Sequence, residues 1–197
     1  MKPARVQLAA LAVAAVVLAG GVLARCSRGE PRPTGDDAAV VDTELLAFLS
    51  LARAHHHEAN LLEQDGDLPG AIAALRKIVD APKPHPGERL PEEEEVLADT
   101  FARIADLELR NKDTDAARRD VESGLLHAPD PTYFRGHLLE VYGIVEEKRS
   151  DDLRDGGRSD EAEVARAHAR TLLHQAVDIQ ERVIGRLLDA GADAGTR

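Results

Sequence analysis

The stretch GDLPGAIAALRKIVDAP, residues 66–82, decides the fold. It opens on a turn signal, Gly66-Asp67, and places Pro69 in the first turn of a helix, where a missing N–H costs nothing. Ala71, Leu75 and Ile78 then recur at spacings of four and three, one stripe of a helix. Asp80, Ala81 and Pro82 stop it. The stretch before it, TELLAFLSLARAHHHEANLLEQDG, carries apolar residues at Leu45, Leu49, Ala52, Ala59 and Leu62 and ends at Gly66. Two helices joined by a tight turn make a hairpin, and a lone hairpin cannot shelter its apolar stripe.

Self-similarity at a fixed offset supplies the missing neighbour. Leu51, Ala52, Ala59, Leu61, Asp67, Ala71 and Leu75 recur 46 positions later as Leu97, Ala98, Ala105, Leu107, Asp113, Ala117 and Val121. The second copy, TFARIADLELRNKDTDAARRDVESGLLHAPDP, resembles a tetratricopeptide repeat. The large and small roles of that family fall on Phe101, the Ile104–Ala105 pair, Ala117, Val121, Gly124 and Pro129. Glu108 stands where the family has a large residue, with Leu107 and Leu109 beside it to supply a filler. In the first copy His55 takes the place of Phe101, Glu58 that of Ile104, and Ile78 that of a small residue. The family period is about 34 residues, and KPHPGERLPEEEE (83–95) accounts for the excess as an insertion.

A third copy follows at the family period: Ile104 and Ala105 map onto Leu138 and Leu139, and Glu108 onto Tyr142. Asp130 and Pro131 are expected to open its first helix as cap and first-turn proline. RSDDLRDGGRSD (149–160) reads as a polar loop. The small–large–small pattern returns as Ala169, Leu173 and Ala176. Val177, Ile184, Leu187 and Leu188 share a side of the long last helix and are expected to close the open end.

The resemblance implies an all-α fold: three antiparallel helical hairpins stacked as a short right-handed solenoid over residues 42–190, with 191–197 as a disordered tail. Such a stack has a concave face lined by first-helix residues that packing leaves free. The expected lining is Arg53, His56, Asn60, Glu63, Asp99, Ala102, Asp106, Tyr133 and Glu140. Chaperone-binding members of the family clamp a partner's terminal carboxylate with Lys, Arg and Asn. Here the same face carries Glu63, Asp99, Asp106 and Glu140, which favours a basic or extended segment instead.

Composition agrees with close helix packing. Apolar residues are 43% of the 197, aromatics only 3%, and there is no Trp. The net charge is −11. Residues 1–32 hold five bases and one acid, +4, leaving −15 for the remainder. An acidic folded part repels phosphate backbones, which argues against nucleic acid. One cysteine, Cys26, excludes an internal disulfide.

At the amino end a basic start precedes an uncharged run, Val6–Ala24, of 19 residues. A bilayer needs about 20, so residues 1–25 are read as a hydrophobic helix anchoring the chain. Residues 26–41, with Pro31, Pro33 and Gly35, are the flexible linker. The acidic domain is expected outside the cytoplasm, in the periplasm or its equivalent. The alternatives are cleavage after Val22-Leu23-Ala24 and a lipoprotein anchored at Cys26, although Arg25 departs from the lipoprotein box.

The conspicuous chemistry is weak. His55, His56 and His57 point in three directions around a helix, so they cannot all hold one ion. Glu92–Glu95 follow Pro91 and offset a helix dipole. DLRDGG lacks the alternation of a calcium loop, and no nucleophile–base set stands out. The expectation is a non-catalytic, membrane-anchored adaptor without cofactor, metal or small-molecule substrate, whose partner is a protein or peptide. Two alternatives are a His-dependent metal or pH sensor and a structural protein that self-associates through its last helix.

Overall fold

The computed structural model describes the backbone of residues 41–194 and the side chains of all of these but Leu187 and 190–194. The expected amino-terminal anchor, most of its linker and Cys26 lie outside the described residues. Those described form six α-helices and no strand: α1 (Thr43–Gln64), α2 (Leu68–Val79), α3 (Pro91–Arg110), α4 (Thr114–His127), α5 (Tyr133–Asp155) and α6 (Ser159–Ala194). None of the helices described is long and apolar enough to cross a membrane.

Helix pairs α1–α2, α3–α4 and α5–α6 pack along their lengths, and α2–α3, α4–α5, α1–α3 and α3–α5 join one pair to the next. Among the described residues the backbones of α1 and α2 come close to no helix beyond α3, although the Arg76 side chain of α2 reaches Asp120 of α4, and the backbone of α6 comes close only to α5. The two copies start alike. Asp67 accepts from the Gly70 N–H and Asp113 from the Ala116 N–H, each at 2.9 Å, capping α2 and α4. Gly66 has φ +81°, a left-handed position that favours glycine. Pro69 and Pro91 sit in the first turns of α2 and α3.

The small residues let backbones approach. Ala52, Ala59, Ala71, Ala98, Ala105 and Ala117 are all buried. At Gly124 an added Cβ would lie 2.8 Å from Phe101 Cβ and 2.7 Å from Leu138 Cδ2. Leu75, Ile78, Leu97, Ile104 and Leu107 fill the layer between the first and second pairs. Val121, Leu138, Tyr142 and Val145 fill the next.

Several expectations are corrected. The stretch 149–160 is no loop: α5 runs through Asp155 and only a short turn at Gly156-Gly157 precedes α6. Ser150 and Leu153 explain this, because they bury against α6. Ser150 Oγ donates to the Ala162 carbonyl at 2.8 Å, and Leu153 packs on Ala162 and Ala165. The exposed side is knitted by ion pairs such as Arg154–Asp151 at 3.2 Å. Asp130 and Pro131 precede α5 rather than open it. Thr132 is the cap residue, and its N–H donates to the Asp130 carbonyl at 2.8 Å.

Val177, Ile184 and Leu188 do not close the stack. They are exposed, while Leu172, Ala176 and Ile179 carry the packing on α5. Ala169 and Ala176 are buried as expected, and Leu173 is half-buried and fits against Gly143. Helix α6 continues to Ala194, past the expected end at 190, in keeping with the helix propensity of the alanines there.

Glu108 is not replaced by a neighbouring filler. It stays buried at 5% exposure and meets Arg76 of α2, whose Nη2 donates to it at 3.0 Å.

Candidate functional site

Helices α1 and α3 lie side by side and present one polar face. Its pattern is legible in α3, where Asp99, Arg103, Asp106 and Arg110 follow at spacings of four, three and four, a single stripe. The opposite sides of α3 are consumed by packing against α1, α2, α4 and α5. That explains the one candidate the structure rejects. Ala102 is fully buried among Ala98, Leu138 and their neighbours, so it lines no surface.

Arg103 organises the face. Its Nη1 donates to His56 Nδ1 at 3.2 Å and to the His56 carbonyl at 3.3 Å. Its Nη2 donates to Asn60 Oδ1 and, at 3.2 Å, to Glu63 Oε2. Arg110 binds the other oxygen of Glu63. The hydrogen bonds from Arg110 and Arg103, against partial burial, hold the Glu63 carboxyl below its usual range. His56 is half-buried, and burial first, then Arg103, pushes its pKa down, with Asp99 pulling the other way. Thus Arg103, no candidate in the sequence, brings His56, Asn60 and Glu63 together, and Arg110 joins it at Glu63.

Arg53 is exposed on α1 and Asp106 on α3, the latter 3.8 Å from Arg110. Tyr133 and Glu140 stand on α5, both against His137. The Tyr133 and His137 rings stack at 6.0 Å, and His137 Nδ1 lies 3.7 Å from Glu140 Oε2. The face is therefore less acidic than its sequence suggests, because Glu63 is answered by Arg103 and Arg110. Arg53, Arg103 and Arg110 stand against Glu63, Asp99, Asp106 and Glu140, a surplus of one negative charge, with Asp99 and Glu140 the acids that no arginine among the described residues binds.

The triple histidine separates as its spacing requires. His55 Nδ1 pairs with Glu58 at 2.9 Å, His56 turns to α3, and His57 faces solvent. Among the described residues no group of three or more His, Cys, Asp or Glu is placed to hold a metal ion. Two clefts lie away from this face. One of about 420 Å³ includes Lys112, Thr114, Arg149, Asp152 and Arg158, at the α3–α4 and α5–α6 turns. The other, about 330 Å³, includes Arg89, Pro91, Glu94, His127 and Phe134. Both mix charges of opposite sign.

The insertion between the first two pairs is pinned rather than loose. Lys83 Nζ lies 3.3 Å from Glu93, which is buried although it belongs to the acidic run after Pro91. His85 Nε2 contacts Asp42 at 2.9 Å, and Arg89 donates to the Leu126 carbonyl at 2.8 Å.

No family model, no curated protein and no solved structure matches this chain.

Proposed function

We propose that this chain is a membrane-anchored adaptor of the tetratricopeptide type. Its three hairpins form a short right-handed solenoid, its α1–α3–α5 face receives a segment of a partner protein, and the apolar run Val6–Ala24 holds it at an envelope membrane. The observation that carries the reading is neighbour-only packing: each helix pair touches the pair beside it and none further along. Chains built this way bury a continuous seam and leave one extended face of first helices free.

The repeated caps at Asp67 and Asp113 and the buried alanines at matching positions support the same reading. The partner chemistry follows from the acids at Asp99, Asp106 and Glu140 and from the exposed Tyr133, which together favour a basic, extended segment. Anchoring raises the local concentration of what the face binds.

The test is a crosslinking pull-down from membranes, comparing wild type with Asp106→Lys plus Glu140→Lys. Both positions are exposed, so the substitutions leave the core alone. Loss of the captured partners is expected. Capture of the same partners by both chains removes the acidic face as the binding surface.

A further inference from the structure

The α1–α3 face contains a titratable ring with both nitrogens engaged. His56 Nε2 lies 3.1 Å from Thr100 Oγ1, and the Thr100 hydroxyl donates to the Val96 carbonyl at 2.7 Å. The single hydroxyl proton is spent there, so Nε2 is the donor to Oγ1. On the other side of the ring Arg103 Nη1 lies 3.2 Å from Nδ1. A guanidinium only donates, so Nδ1 is a bare acceptor. Both constraints select one species, the neutral imidazole protonated on Nε2.

We propose that His56 is a proton-operated catch: neutral, it fixes Arg103 across the α1–α3 face, and a proton taken up from solvent on Nδ1 releases that arginine. Protonation converts the acceptor into a donor and sets an imidazolium against a guanidinium. Arg103 also donates to the His56 carbonyl, Asn60 and Glu63, so its departure frees several groups at once. Glu63 keeps Arg110.

The charged surroundings come from two helices. On α1 there is Glu63, and on α3 there are Asp99 and Arg103. The cations of α2 are engaged elsewhere, Arg76 with Glu108 and Asp120 and Lys77 with Glu58. Burial opposes the imidazolium, Asp99 favours it and Arg103 opposes it, with a net fall of the pKa below 6.5.

This rests on the reading of the face as a partner site, and it adds the regulation of that site. Acidification places one new positive charge on the face and frees a second, so a basic segment is held at neutral pH and let go in mild acid.

The experiment uses the full chain in detergent micelles with ¹⁵N-labelled His and Arg. At about pH 7.5 the His56 ring is expected as the Nε2–H tautomer. Its titration midpoint falls below 6.5, and the Arg103 side-chain resonance shifts with that same midpoint. In His56→Gln, whose amide can accept from Arg103 and donate to Thr100, the shift in that window is lost. An Nδ1–H tautomer, or an Arg103 signal that stays flat through the His56 midpoint, overturns the proposal.

The membrane pull-down, repeated at about pH 7.5 and about pH 5.5, separates the two readings. Several-fold weaker capture in acid by wild type, with none of that loss in His56→Gln, supports regulation. Equal capture by wild type at both values overturns the regulatory claim and leaves the partner site standing. No capture at either value sinks the partner site, and the Arg103 resonance still decides the catch.

Discussion

Glu108 concentrates the residue-scale physics of the seam. Arg76 reaches from α2 to bind Glu108 of α3 and both oxygens of Asp120 of α4, with Nη1 2.6 Å from Asp120 Oδ1. Two buried carboxylates share one guanidinium. Burial, and then the neighbouring Asp120, raise the Glu108 pKa from 4.5 to about 8. A carboxyl raised on folding binds its proton more tightly in the native state. Its contribution to stability is full below the unfolded value near 4.5 and is lost as the pH rises through about 8.

Thermal unfolding followed by circular dichroism is expected to show this downward slope in wild type. Glu108→Gln mimics the protonated acid and should flatten it. An identical slope in the variant would remove Glu108 as its source. Arg76→Met leaves the two carboxylates facing each other without a cation. The expected cost is about 3–5 kcal/mol above pH 8 or so, read from urea unfolding, and a loss within error of zero would refute the shared-guanidinium account.

At the scale of elements, equal register gives unequal burial. Leu51 and Leu97 are equivalent by the 46-residue offset, as are Leu61 and Leu107. Yet Leu51 is 40% exposed and Leu97 2%, and Leu61 is 50% exposed and Leu107 1%. The cause is position in the row: α3 has a preceding pair to pack against, and α1 has no such pair among the described residues. Leu107→Ala should therefore cost about 2–5 kcal/mol, while Leu61→Ala stays within about 0.5 kcal/mol, both by urea unfolding. Similar costs would mean the two leucines share an environment.

Gly124→Ala forces a methyl against Phe101 and Leu138 and should cost about 1–3 kcal/mol. These contrasts show what could be read from the chain. The turn at Gly66-Asp67, its counterpart at Asp113 and the small residues of the helical stripes are legible, because turn chemistry and helical spacing act within a few residues. The burial of Ala102 is not legible, because a helix enclosed on three sides shows only one stripe, and the number of neighbours is not a local property. The polar end of α5 looked like a loop because its helicity depends on Ser150 and Leu153 meeting α6. Arg103 and Arg110 stood in plain view on the stripe with Asp99 and Asp106. Their partners were hidden, since each lies about 40 or more residues away across a tertiary seam.

At the scale of the molecule, neighbour-only packing has a consequence for dynamics. When each pair is stabilised by itself and by its flanking interfaces, the pair with two flanks opens least. Among the described residues α3 and α4 have a pair on either side, α1 and α2 have one, and α5 and α6 have one. Gln180 Nε2 reaches the Tyr133 carbonyl and Arg186 the Pro131 carbonyl, which places the start of α5 level with that part of α6. Helix α6 continues to Ala194 beyond it. Hydrogen exchange on the full chain, read by mass spectrometry, should therefore rank protection in a fixed order. The amides of α3 and α4 exchange most slowly, those of α1–α2 and of α5 with the first part of α6 more quickly, and those after Arg186 first of all. If instead all six helices exchanged with one common rate, opening would be global and the stack would behave as a single cooperative body. If α1–α2 proved the slowest, an additional contact would have to cover the outer face of α1 that carries Leu51 and Leu61.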